Sequence, residues 1–548
     1  MLRPVGTLEG LDWVVVALYF VSVFGVAAWA TISERREQTS SADYFLAGRN
    51  VGWFVIGASL FVSNIGSEHL VGLAGTGAAS GVAVGQFEIL ASLILLVLGW
   101  VFVPFYLRSG VFTMPEFLER RYSPAARWYL AVISIVGYVL TKISVTIAAG
   151  GIVFESLMGI DFWTGALVVV VATGIYTVLG GLRAVLYTDL LQMFVLVGGA
   201  VAVTWIGLDE LGGWGAMVEG AGPGFMSVWK PLSDPDFPWT GILLGAPILG
   251  VWYWCTDQFI VQRVLSAADE DNARRGTIFG GLLKLLPLFI FVVPGVVAHA
   301  LASRGEITLD SPDQALPILI GALLPRGIRG LVVAGLLAAL MSSLSSVFNS
   351  CSTLFTRDIY LKLRPDASEA RQVRVGQTAT AVLVALGLLW IPMMQFISGQ
   401  LYQYLQSVQA YIAPPIAAVF LIGILWRRAN APGAIASLAT GFVFGTLRLI
   451  AELTKEEHEG FILAYAEINF LHFAALLFLV CSVVLVGVSL LTRAPDASKL
   501  DGLTFATTAP SENAQPSRWR TQDRWVSVLL VVLVGLVWFY FSPWVQAR

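Results

Sequence analysis

The sequence predicts an all-α integral membrane protein, and three observations support this fold class. Of the 548 residues, 57% are hydrophobic and only 13% are charged, whereas soluble domains carry roughly 25% charged residues. The apolar residues form runs of roughly 20 residues or more, which is the length that a helix needs to cross a bilayer. One of these runs, Gly57 to Gly77, holds polar residues at its centre, which indicates an interrupted helix.

The interrupted run has the sequence GASLFVSNIGSEHLVGLAGTG. We expect its helix to break at Ile65-Gly66, because non-helical backbone at membrane depth persists only inside protein or beside a water-filled cavity. A second run, Leu243 to Arg263, carries Gly and Pro early and the polar Thr256-Asp257-Gln258 late. Two interrupted helices in corresponding halves of a chain are typical of a transporter binding site.

About fourteen runs are long enough to span the membrane. They lie near residues 11–32, 53–80, 82–107, 127–157, 162–179, 185–208, 240–262, 275–302, 328–350, 372–397, 401–426, 431–452, 469–492 and 524–543. The second to sixth and the seventh to eleventh runs each start with an interrupted helix. Because five is odd, the second unit is inverted relative to the first, and the sequence predicts a five-plus-five inverted repeat with a binding site at the bilayer midplane.

The predicted division of the chain follows from these runs. Its parts are a first span with an inner loop (1–50), a first repeat (51–210), a second repeat (240–428), two flanking spans (429–492), a cytoplasmic linker (493–523) and a last, detached span (524–548). Most Lys and Arg residues fall in the loops of one side, which places that side in the cytoplasm. With an even number of spans, both termini are expected on the extracellular or periplasmic side of the plasma membrane.

Composition also excludes other classes of protein. The net charge of −3 gives no reason to expect nucleic-acid binding. The chain has four His residues and no metal-ligand cluster or nucleophile motif, so we do not expect an enzyme. The expected partners are the lipid bilayer, a small solute and an ion, while the sequence leaves the oligomeric state undefined.

Ionisable residues at membrane depth are candidates for function. They are Glu68, His69, Glu88, Lys142, Asp189, Asp257, Lys284 and Arg448. We expect Glu88 and Lys284 to border a cavity, although an ion pair that only holds helices together remains the alternative. For Lys142 and Arg448 we favour packing or snorkelling.

The polar residues around such a cavity suggest a neutral substrate, because one carboxylate and one ammonium group cancel. Asn64, His69 and Gln406 supply hydrogen-bond donors and acceptors for hydroxyl groups. Tyr253 and Trp254 supply flat apolar faces for the C–H surfaces of a sugar, and the alternative is an ordinary aromatic pair in the core.

Serine residues interrupt the apolar run from Gly335 to Ser350. Ser342 and Ser343 each share a helix face with Ser346 by their spacing. Their hydroxyl groups, with carbonyl groups freed near the break at Gly66, would form a neutral oxygen cage for Na⁺. The alternative is that these small residues only allow close helix packing.

A further carboxylate lies in the segment AVLYTDLLQMF, at Asp189. This carboxylate would form a second cation site if it faces Ser345 and Ser346. Equally consistent with the sequence is the alternative that Asp189 lies at the membrane interface and is hydrated by water.

These segments resemble the sodium/solute symporter family, and within it the sodium/glucose cotransporter branch. The matching motifs extend from the first inner loop to the twelfth span. The most specific are WYWCTDQ at 252–258 and LMSSLSSVFNS at 340–350, while YTVLGGLRAVLYTD at 176–189 marks the wider family.

The resemblance implies a leucine-transporter-like fold with flanking helices, and Na⁺-driven uptake of a neutral hexose such as glucose or galactose by alternating access. The sugar-binding residues that it implies are Asn64, His69, Glu88, Tyr253, Trp254, Lys284 and Gln406, with Tyr253 as the inner gate. The implied main Na⁺ site consists of the carbonyl groups of Val62, Ile65 and Ala339 and the hydroxyl groups of Ser342 and Ser343. Asp189, Ser345 and Ser346 match a second Na⁺ site that some members have.

Three positions depart from this branch, Gly250 from its sugar-transporting members, and Gln403 and Glu68 from its animal members. Gly250 stands where relatives carry a polar side chain that touches the substrate, Gln403 replaces an Asp, and Glu68 replaces a Gly. These departures leave the sugar undefined, so inositol, an amino acid or an organic acid are alternative solutes. A sugar sensor on the same fold is a further alternative.

Overall fold

The computed structural model describes residues 7–35, 49–66, 68–394, 400–507 and 518–546. In these residues the regular structure is helical, and the only β-type pairing consists of two isolated bridges, Val51 with Ala267 and Lys230 with Pro238. The all-α prediction is therefore confirmed. Residues 36–48 of the predicted inner loop and 508–517 of the predicted linker lie outside the described residues.

The helices are numbered here in chain order. They are α1 (Gly10–Arg35), α2 (Trp53–Asn64), α3 (Ala74–Ser80), α4 (Gln86–Val97), α5 (Val103–Ser109), α6 (Met114–Arg121), α7 (Pro124–Tyr138), α8 (Ser144–Met158), α9 (Phe162–Leu211), α10 (Trp214–Ala221), α11 (Trp239–Leu244), α12 (Ala246–Val251), α13 (Gln258–Leu265), α14 (Glu270–Leu283), α15 (Val293–Ser303), α16 (Ala315–Leu323), α17 (Ile328–Thr353), α18 (Leu361–Leu363), α19 (Glu369–Met394), α20 (Leu401–Leu425), α21 (Ala431–Leu453), α22 (Phe461–Ala466), α23 (Phe470–Leu491), α24 (Arg518–Tyr540) and α25 (Pro543–Gln546). Segments of π-helix join several of them, at Glu68–Leu73, Leu98–Phe102, Val139–Ile143, Trp252–Thr256, Leu288–Val292 and Leu354–Tyr360.

Many of these helices are suited to a membrane. Within the described ranges, 10 helical stretches are long and apolar enough to cross a bilayer, and three shorter apolar helices lie at Gly10–Val26, Trp53–Asn64 and Phe162–Val171. These stretches coincide with most of the predicted spans, so the chain is a multi-pass membrane protein. The count of fourteen spans stays a prediction.

Helix α9 differs from the sequence prediction. Two spans separated by a loop at 180–184 were expected, whereas the backbone is helical over all 50 residues of Phe162–Leu211. Such a helix rises about 75 Å, more than twice the roughly 30 Å of the hydrocarbon core, and the chain reversal expected between the two spans is not seen at 180–184. Gly180 and Gly181 lower helix stability only by about 1 kcal/mol each, which does not by itself end a helix.

The first interrupted helix breaks where the sequence predicts. Helix α2 ends at Asn64, and Ile65 has φ −79° and ψ 84°. The Gly66 N–H donates to the Asn64 carbonyl oxygen at 2.9 Å, which makes an inverse γ-turn centred on Ile65. Helical structure resumes as a wider π-helical turn from Glu68 to Leu73, and the predicted interruption is confirmed.

The second interrupted helix breaks at Asp257. Helix α12 passes into the π-helical turn Trp252–Thr256, and Asp257 then has the extended values φ −78° and ψ 128°. The Asp257 side chain accepts a hydrogen bond from the Phe259 N–H at 3.3 Å and thereby caps α13. The polar triplet of this run thus marks a true end of the helix.

The serine-rich helix α17 packs against α1, α2 and α9. Its N-terminus is capped from another helix, because Asp12 of α1 accepts from the N–H groups of Gly327 at 2.7 Å and Gly330 at 3.0 Å. Arg329 adds an ion pair to the same carboxylate at 2.7 Å. Helix α1 is therefore fixed to the part of the fold that carries the serines.

The last span is not detached, in contrast to the sequence prediction. The Asp523 carboxylate accepts from Arg274 and Arg275 of α14, each at 3.0 Å. Farther along α24, Leu530 is fully buried and Trp538 donates to Gln86 at 2.7 Å. These contacts join residues more than 200 positions apart in the chain. The composition of the predicted linker 493–523 therefore could not indicate them.

Glycine allows the closest contact between α15 and α3. A Cβ atom added to Gly295 would lie 2.0 Å from the Ala74 carbonyl oxygen and 2.9 Å from the Ala78 nitrogen, so it would collide with backbone. We expect Gly295→Ala to lower the free energy of unfolding by about 1–3 kcal/mol, the usual effect of overpacking. Thermal unfolding of the purified protein in detergent measures this change.

Gly535→Ala is the matched control, because a Cβ atom on Gly535 in α24 would meet no other atom within 4 Å. We expect equal or slightly higher stability for this variant. Equal melting temperatures for Gly295→Ala and the wild-type protein would contradict the close helix contact.

Candidate functional site

A cavity lies between the two interrupted helices, and the space inside it that a water-sized molecule can occupy is about 50 Å³. This is below the roughly 300–1,000 Å³ of small-molecule sites, so the side chains around the cavity must move apart before a larger solute fits. Its lining comes from both interrupted helices, from α4, from α20 and from the π-helical segment Val139–Ile143. The lining residues are Asn64, Glu68, His69, Phe87, Glu88, Leu90, Ala91, Ile94, Lys142, Ala246, Leu249, Gly250, Tyr253, Trp254, Tyr402, Leu405, Gln406 and Gln409.

Glu88 is the centre of a buried charged cluster at this cavity. Its carboxylate forms an ion pair with Lys284, which is itself fully buried. The His69 Nε2 atom lies 3.0 Å from Glu88 Oε1 and 3.4 Å from Lys284 Nζ. The Lys284 ammonium also lies 5.3 Å from the centre of the Trp254 ring, a distance typical of a cation–π contact.

A hydrogen bond connects the two interrupted helices at the cavity. The Asn64 Nδ2 atom donates to the Tyr253 hydroxyl at 2.9 Å, and the Tyr253 ring packs edge-on against Trp254. On the α20 side, Gln406 donates to the Tyr402 hydroxyl at 2.9 Å. Six of the seven predicted sugar-binding residues thus line one cavity, and Lys284 reaches it through Glu88.

Two buried polar atoms at the cavity have no hydrogen-bond partner among the described residues. They are Asn64 Oδ1 and His69 Nδ1. Buried polar groups normally have partners, so these two atoms can bind the polar groups of a ligand. Gly250 also lines the cavity, where a side chain would press against Ile94.

The break after α2 diverts the backbone N–H groups that would bond two carbonyl groups in a continued helix. In a continued helix the Gly66 N–H would bond the Val62 carbonyl group, but it bonds the Asn64 carbonyl group instead. Likewise the His69 N–H bonds the Gly66 carbonyl group at 3.1 Å, rather than that of Ile65. Two of the carbonyl groups predicted for the main Na⁺ site therefore lose their helical partners.

Ser343 of α17 lies directly against this break. Its Oγ atom is 2.4 Å from the position that a Cβ atom on Gly66 would take, and its hydroxyl donates to the Ser63 carbonyl oxygen at 3.4 Å. A side chain at position 66 would therefore displace the Ser343 hydroxyl group and the Glu68 carboxylate. Ala339 lies one helical turn before Ser343 on the same helix.

Ser342 does not join this cluster but faces Asp189, to which its hydroxyl donates. Asp189 is fully buried and also accepts from Ser59 at 2.8 Å and Ser63 at 2.9 Å. Ser342 therefore connects the predicted main Na⁺ site to the carboxylate predicted for a second site. Full burial is incompatible with the interfacial, hydrated alternative for Asp189.

The other two residues of the predicted second site have different partners. Ser345 donates to the Ser342 carbonyl oxygen at 3.1 Å, and Ser346 accepts from Arg263 Nη2 at 2.7 Å. The Arg263 Nε atom also donates to Ser59 at 3.0 Å and Ser63 at 2.9 Å. The guanidinium group thus shares two serine hydroxyl groups with Asp189.

Arg263 ends the second interrupted run, where Arg usually lies in a loop, but its side chain is buried and the residue is 1% exposed. For Lys142 we favoured packing or snorkelling, whereas it forms an ion pair with Glu68 at 2.8 Å. One sequence feature could have indicated that Arg263 is buried: it lies in an interrupted helix, seven residues after the polar Thr256. No local signal connects Glu68 with Lys142, because 74 residues separate them.

The loop between α10 and α11 packs next to the cavity on the α3 and α20 side. Asp236 accepts from Ser80 of α3 and from Gln403 of α20, each at 2.8 Å. The adjacent Phe237 contacts Phe87 edge-on, and Phe87 in turn lines the cavity. Gln403, one of the departures from the animal members, is therefore a partner of this loop rather than a lining residue.

The geometry is that of a solute cavity beside a cluster of hard oxygen atoms. A model of the sodium:solute symporter family matches residues 44–441 of the chain. The chain belongs to the sodium:solute symporter family. It is therefore a Na⁺-coupled solute symporter and not an enzyme, and Na⁺ is its co-transported ion.

Similar proteins of known identity agree with this membership. The symporter is 41% identical over 525 residues to sodium/glucose cotransporter 1 of Oryctolagus cuniculus, covering 88% of this chain and 79% of the relative. It is 40% identical over 548 residues to the sodium/myo-inositol cotransporter of Mus musculus, covering 91% and 76%. The two names include both a sugar and a cyclic polyol.

Solved structures share the fold of the symporter. A Na⁺-coupled sialic acid symporter in a substrate-bound outward-open state has a TM-score of 0.74 at 21% identity, covering 89% of this chain and 99% of that chain. MHP1, a nucleobase-cation-symport-1 family transporter, has a TM-score of 0.54 at 15% identity, covering 85% and 99%. At these identities the likeness shows the fold alone.

Removal of the Asp189 charge tests the buried network of the symporter. In Asp189→Asn the buried Arg263 guanidinium loses the negative charge to which Ser59 and Ser63 connect it. Breaking a buried pair in direct contact lowers stability by about 3–5 kcal/mol, and we expect a smaller loss for this pairing through two serines. We expect a correspondingly lower melting temperature for the purified protein in sodium-free buffer. The double variant Asp189→Asn with Arg263→Gln removes both charges and should recover most of the loss, whereas no recovery would argue against this pairing.

Proposed function

We propose that this symporter couples inward Na⁺ flow to uptake of a neutral sugar, a hexose such as glucose or galactose, by alternating access. The observation that carries the proposal is the charge balance of the cavity. Glu88 and Lys284 form one buried pair, and Glu68 and Lys142 form another. A charged solute would add an uncompensated charge to this interior, which is unfavourable.

Hydroxyl groups of a sugar suit the polar atoms that remain. Glu88 accepts and Lys284 donates, while Asn64 Oδ1 and His69 Nδ1 lack partners among the described residues. The Trp254 ring at the cavity wall gives the C–H face of a sugar an apolar surface. In this proposal the substrate-binding residues are Asn64, His69, Glu88, Tyr253, Trp254, Lys284 and Gln406.

We assign the main Na⁺ site to the carbonyl groups and hydroxyl groups around the break. Its ligands in this proposal are the Val62, Ile65 and Ala339 carbonyl oxygens and the Ser342 and Ser343 hydroxyl oxygens. The support is the diverted hydrogen bonding at Gly66 and the contact of Ser343 with this glycine. In this proposal the Ser342 hydroxyl would turn from Asp189 to the ion.

The same interrupted helix contributes to both proposed sites, which gives a physical basis for coupling. Asn64 is the last residue of α2 and bonds Tyr253, the proposed inner gate. Two of the three carbonyl groups proposed for Na⁺, those of Val62 and Ile65, lie within two residues of Asn64. Ion binding that fixes this turn therefore also fixes a residue at the sugar cavity and its bond to the gate.

The finer architecture forms part of this proposal. It comprises fourteen spans with a leucine-transporter-like inverted repeat, whose halves are 51–210 and 240–428, flanked by 1–50 and 429–492. The linker 493–523 and the span 524–548 complete the chain, which lies in the plasma membrane with both termini outside. The two helix breaks, one in each proposed half, support this division.

Electrochemical driving forces are sufficient for such uptake. One Na⁺ that enters down about 100 mV gains roughly 2.3 kcal/mol, and a tenfold Na⁺ gradient adds about 1.4 kcal/mol. Together these sustain roughly 500-fold accumulation of a neutral solute with one ion. A second ion would square this ratio.

A cyclic polyol such as inositol is the second candidate substrate. It is neutral and rich in hydroxyl groups, and a relative named as a sodium/myo-inositol cotransporter matches 91% of the chain. Amino acids and organic acids fit less well, because each adds charged groups to a charge-balanced cavity.

Uptake into proteoliposomes tests the proposed function. We expect uptake of labelled glucose or galactose with an inside-negative potential and external Na⁺, but not with choline. Competition by a panel of hexoses, inositol, amino acids and organic acids then ranks the solutes. Sodium-dependent binding without uptake would indicate a sensor, and stronger competition by an ionic solute would refute the neutral-sugar assignment.

Ser343→Ala removes one hydroxyl oxygen from the proposed main Na⁺ site. We expect sodium-dependent uptake to fall to the level in choline, while the melting temperature in sodium-free buffer stays near that of the wild-type protein. Ser350→Ala is the control, because Ser350 is equally buried on α17 but contacts Gln262, and it should retain uptake. Unchanged sodium dependence in Ser343→Ala would rule out the serine cage.

Ser345→Ala tests the proposed second Na⁺ site of Asp189, Ser345 and Ser346. If two ions accompany each sugar, we expect the variant to move about one charge per sugar instead of about two, because a neutral substrate adds no charge. The ratio follows from the membrane potential at which the sugar current reverses under known gradients. The same ratio in variant and wild-type protein would leave Asp189 a purely structural role.

A further inference from the structure

Glu68 and Lys142 form a buried ion pair outside the proposed ligand sets. Glu68 starts the π-helical turn after the break, and Lys142 lies in the π-helical segment Val139–Ile143 of another span. Lys142 Nζ is 2.8 Å from Glu68 Oε1, with side chains that are 5% and 2% exposed. Both residues line the cavity.

The two oxygen atoms of the Glu68 carboxylate face different neighbours. Oε1 accepts from Lys142. Oε2 lies 2.6 Å from the position of a Cβ atom on Gly66, and Ser343 Oγ lies 2.4 Å from that same position. Glu68 Oε2 is therefore no farther from the Ser343 hydroxyl than the sum of these two distances. The carboxylate borders the oxygen cluster at the break as well as the cavity.

Lys142 has its own position beside the proposed gate. Its ammonium group lies 4.9 Å from the centre of the Tyr253 ring and 4.7 Å from that of Phe259. Tyr253 accepts a hydrogen bond from Asn64, the last residue of α2. Glu68 lies just beyond the break that follows Asn64. The pair thus lies between the oxygen cluster on one side and the gate on the other.

We propose that Glu68 and Lys142 transmit Na⁺ binding to the sugar cavity, in an inference that rests on the proposed function. A Na⁺ ion at the break attracts the Glu68 carboxylate through a short distance in a dry interior. This attraction weakens the bond from Glu68 to Lys142. The ammonium group then becomes available to donate to a sugar hydroxyl group, so the sugar binds more tightly when Na⁺ is present.

The coupling is reciprocal, as thermodynamics requires. A sugar that accepts from Lys142 leaves the Glu68 carboxylate less neutralised, and this raises its attraction for Na⁺. Both residues act as positioning and electrostatic residues for two ligands, while neither has to be a direct ligand of Na⁺.

A purely structural ion pair is the alternative. The direction in which two substitutions change the affinity for Na⁺ distinguishes the two. Glu68→Gln leaves the Lys142 charge unneutralised near the cage, so we expect Na⁺ binding to weaken by on the order of tenfold. Lys142→Met leaves the Glu68 charge unneutralised, so Na⁺ binding should strengthen roughly threefold. The double variant should bind Na⁺ with nearly wild-type affinity.

The measurement is the rise in melting temperature of the full-length purified protein with Na⁺ concentration, at constant ionic strength in choline. A ligand that binds the folded state raises stability by mass action, so the curve gives the half-saturating Na⁺ concentration. If the ion pair is purely structural, we expect both single variants to shift the half-saturating Na⁺ concentration in the same direction. If Glu68→Gln alone does not fold, the direction for Lys142→Met decides.

Arg329→Met is the matched control, because Arg329 forms a buried pair with Asp12 that does not line the cavity. It should lower stability and leave the half-saturating Na⁺ concentration unchanged. A second readout is binding of labelled glucose, whose enhancement by Na⁺ should be largely lost in Glu68→Gln.

The outcomes separate this inference from the proposed function. Wild-type protein that shows neither stabilisation by Na⁺ nor sodium-dependent glucose binding contradicts the proposed function. Wild-type protein that shows both, with single variants that shift in the same direction, contradicts only the role of Glu68 and Lys142.

Discussion

The structure depends on one diverted hydrogen bond. The Gly66 N–H bonds the Asn64 carbonyl group at 2.9 Å instead of continuing the helix, and the backbone beyond it resumes only as a π-helical turn. The break is tolerated at membrane depth because the carbonyl groups that lose their helical partners lie inside protein. Around this turn lie Ser343, the Glu68 carboxylate and the hydrogen bond from Asn64 to Tyr253.

Charge balance is the second constraint on this interior. An isolated charge in a membrane protein is costly, and the cations and carboxylates near the cavity occur together: Lys284 with Glu88, Lys142 with Glu68, and Arg263 near Asp189. Balanced groups of this kind can exchange partners without a net change in buried charge. That property suits a site that must hold a cation and a neutral solute in one state and release both in another.

Much of the site could be predicted from sequence, because polar residues in apolar runs have few explanations. The break at Ile65-Gly66, the interruption before Gln258 and the serine face of α17 all follow from local patterns. The partners of Asp189 and Glu68 could not be predicted locally, since their hydrogen bonds join residues far apart in the chain. Arg263 was misplaced because Arg residues near span ends are usually in loops, and the helical backbone at 180–184 was missed because glycine weakens helices without always ending them.

The central claim is that the break at Ile65-Gly66 binds Na⁺ beside the sugar cavity. The most direct test is a high-resolution cryo-electron microscopy structure of the protein in glucose with Na⁺, compared with one in glucose with K⁺. The account predicts density for an ion between the Val62 and Ile65 carbonyl groups and the Ser343 hydroxyl group only in the structure with Na⁺. Sugar density should lie next to Glu88 in that structure. A continuous helix through residues 64–68 in Na⁺, or identical density in both salts, would contradict it.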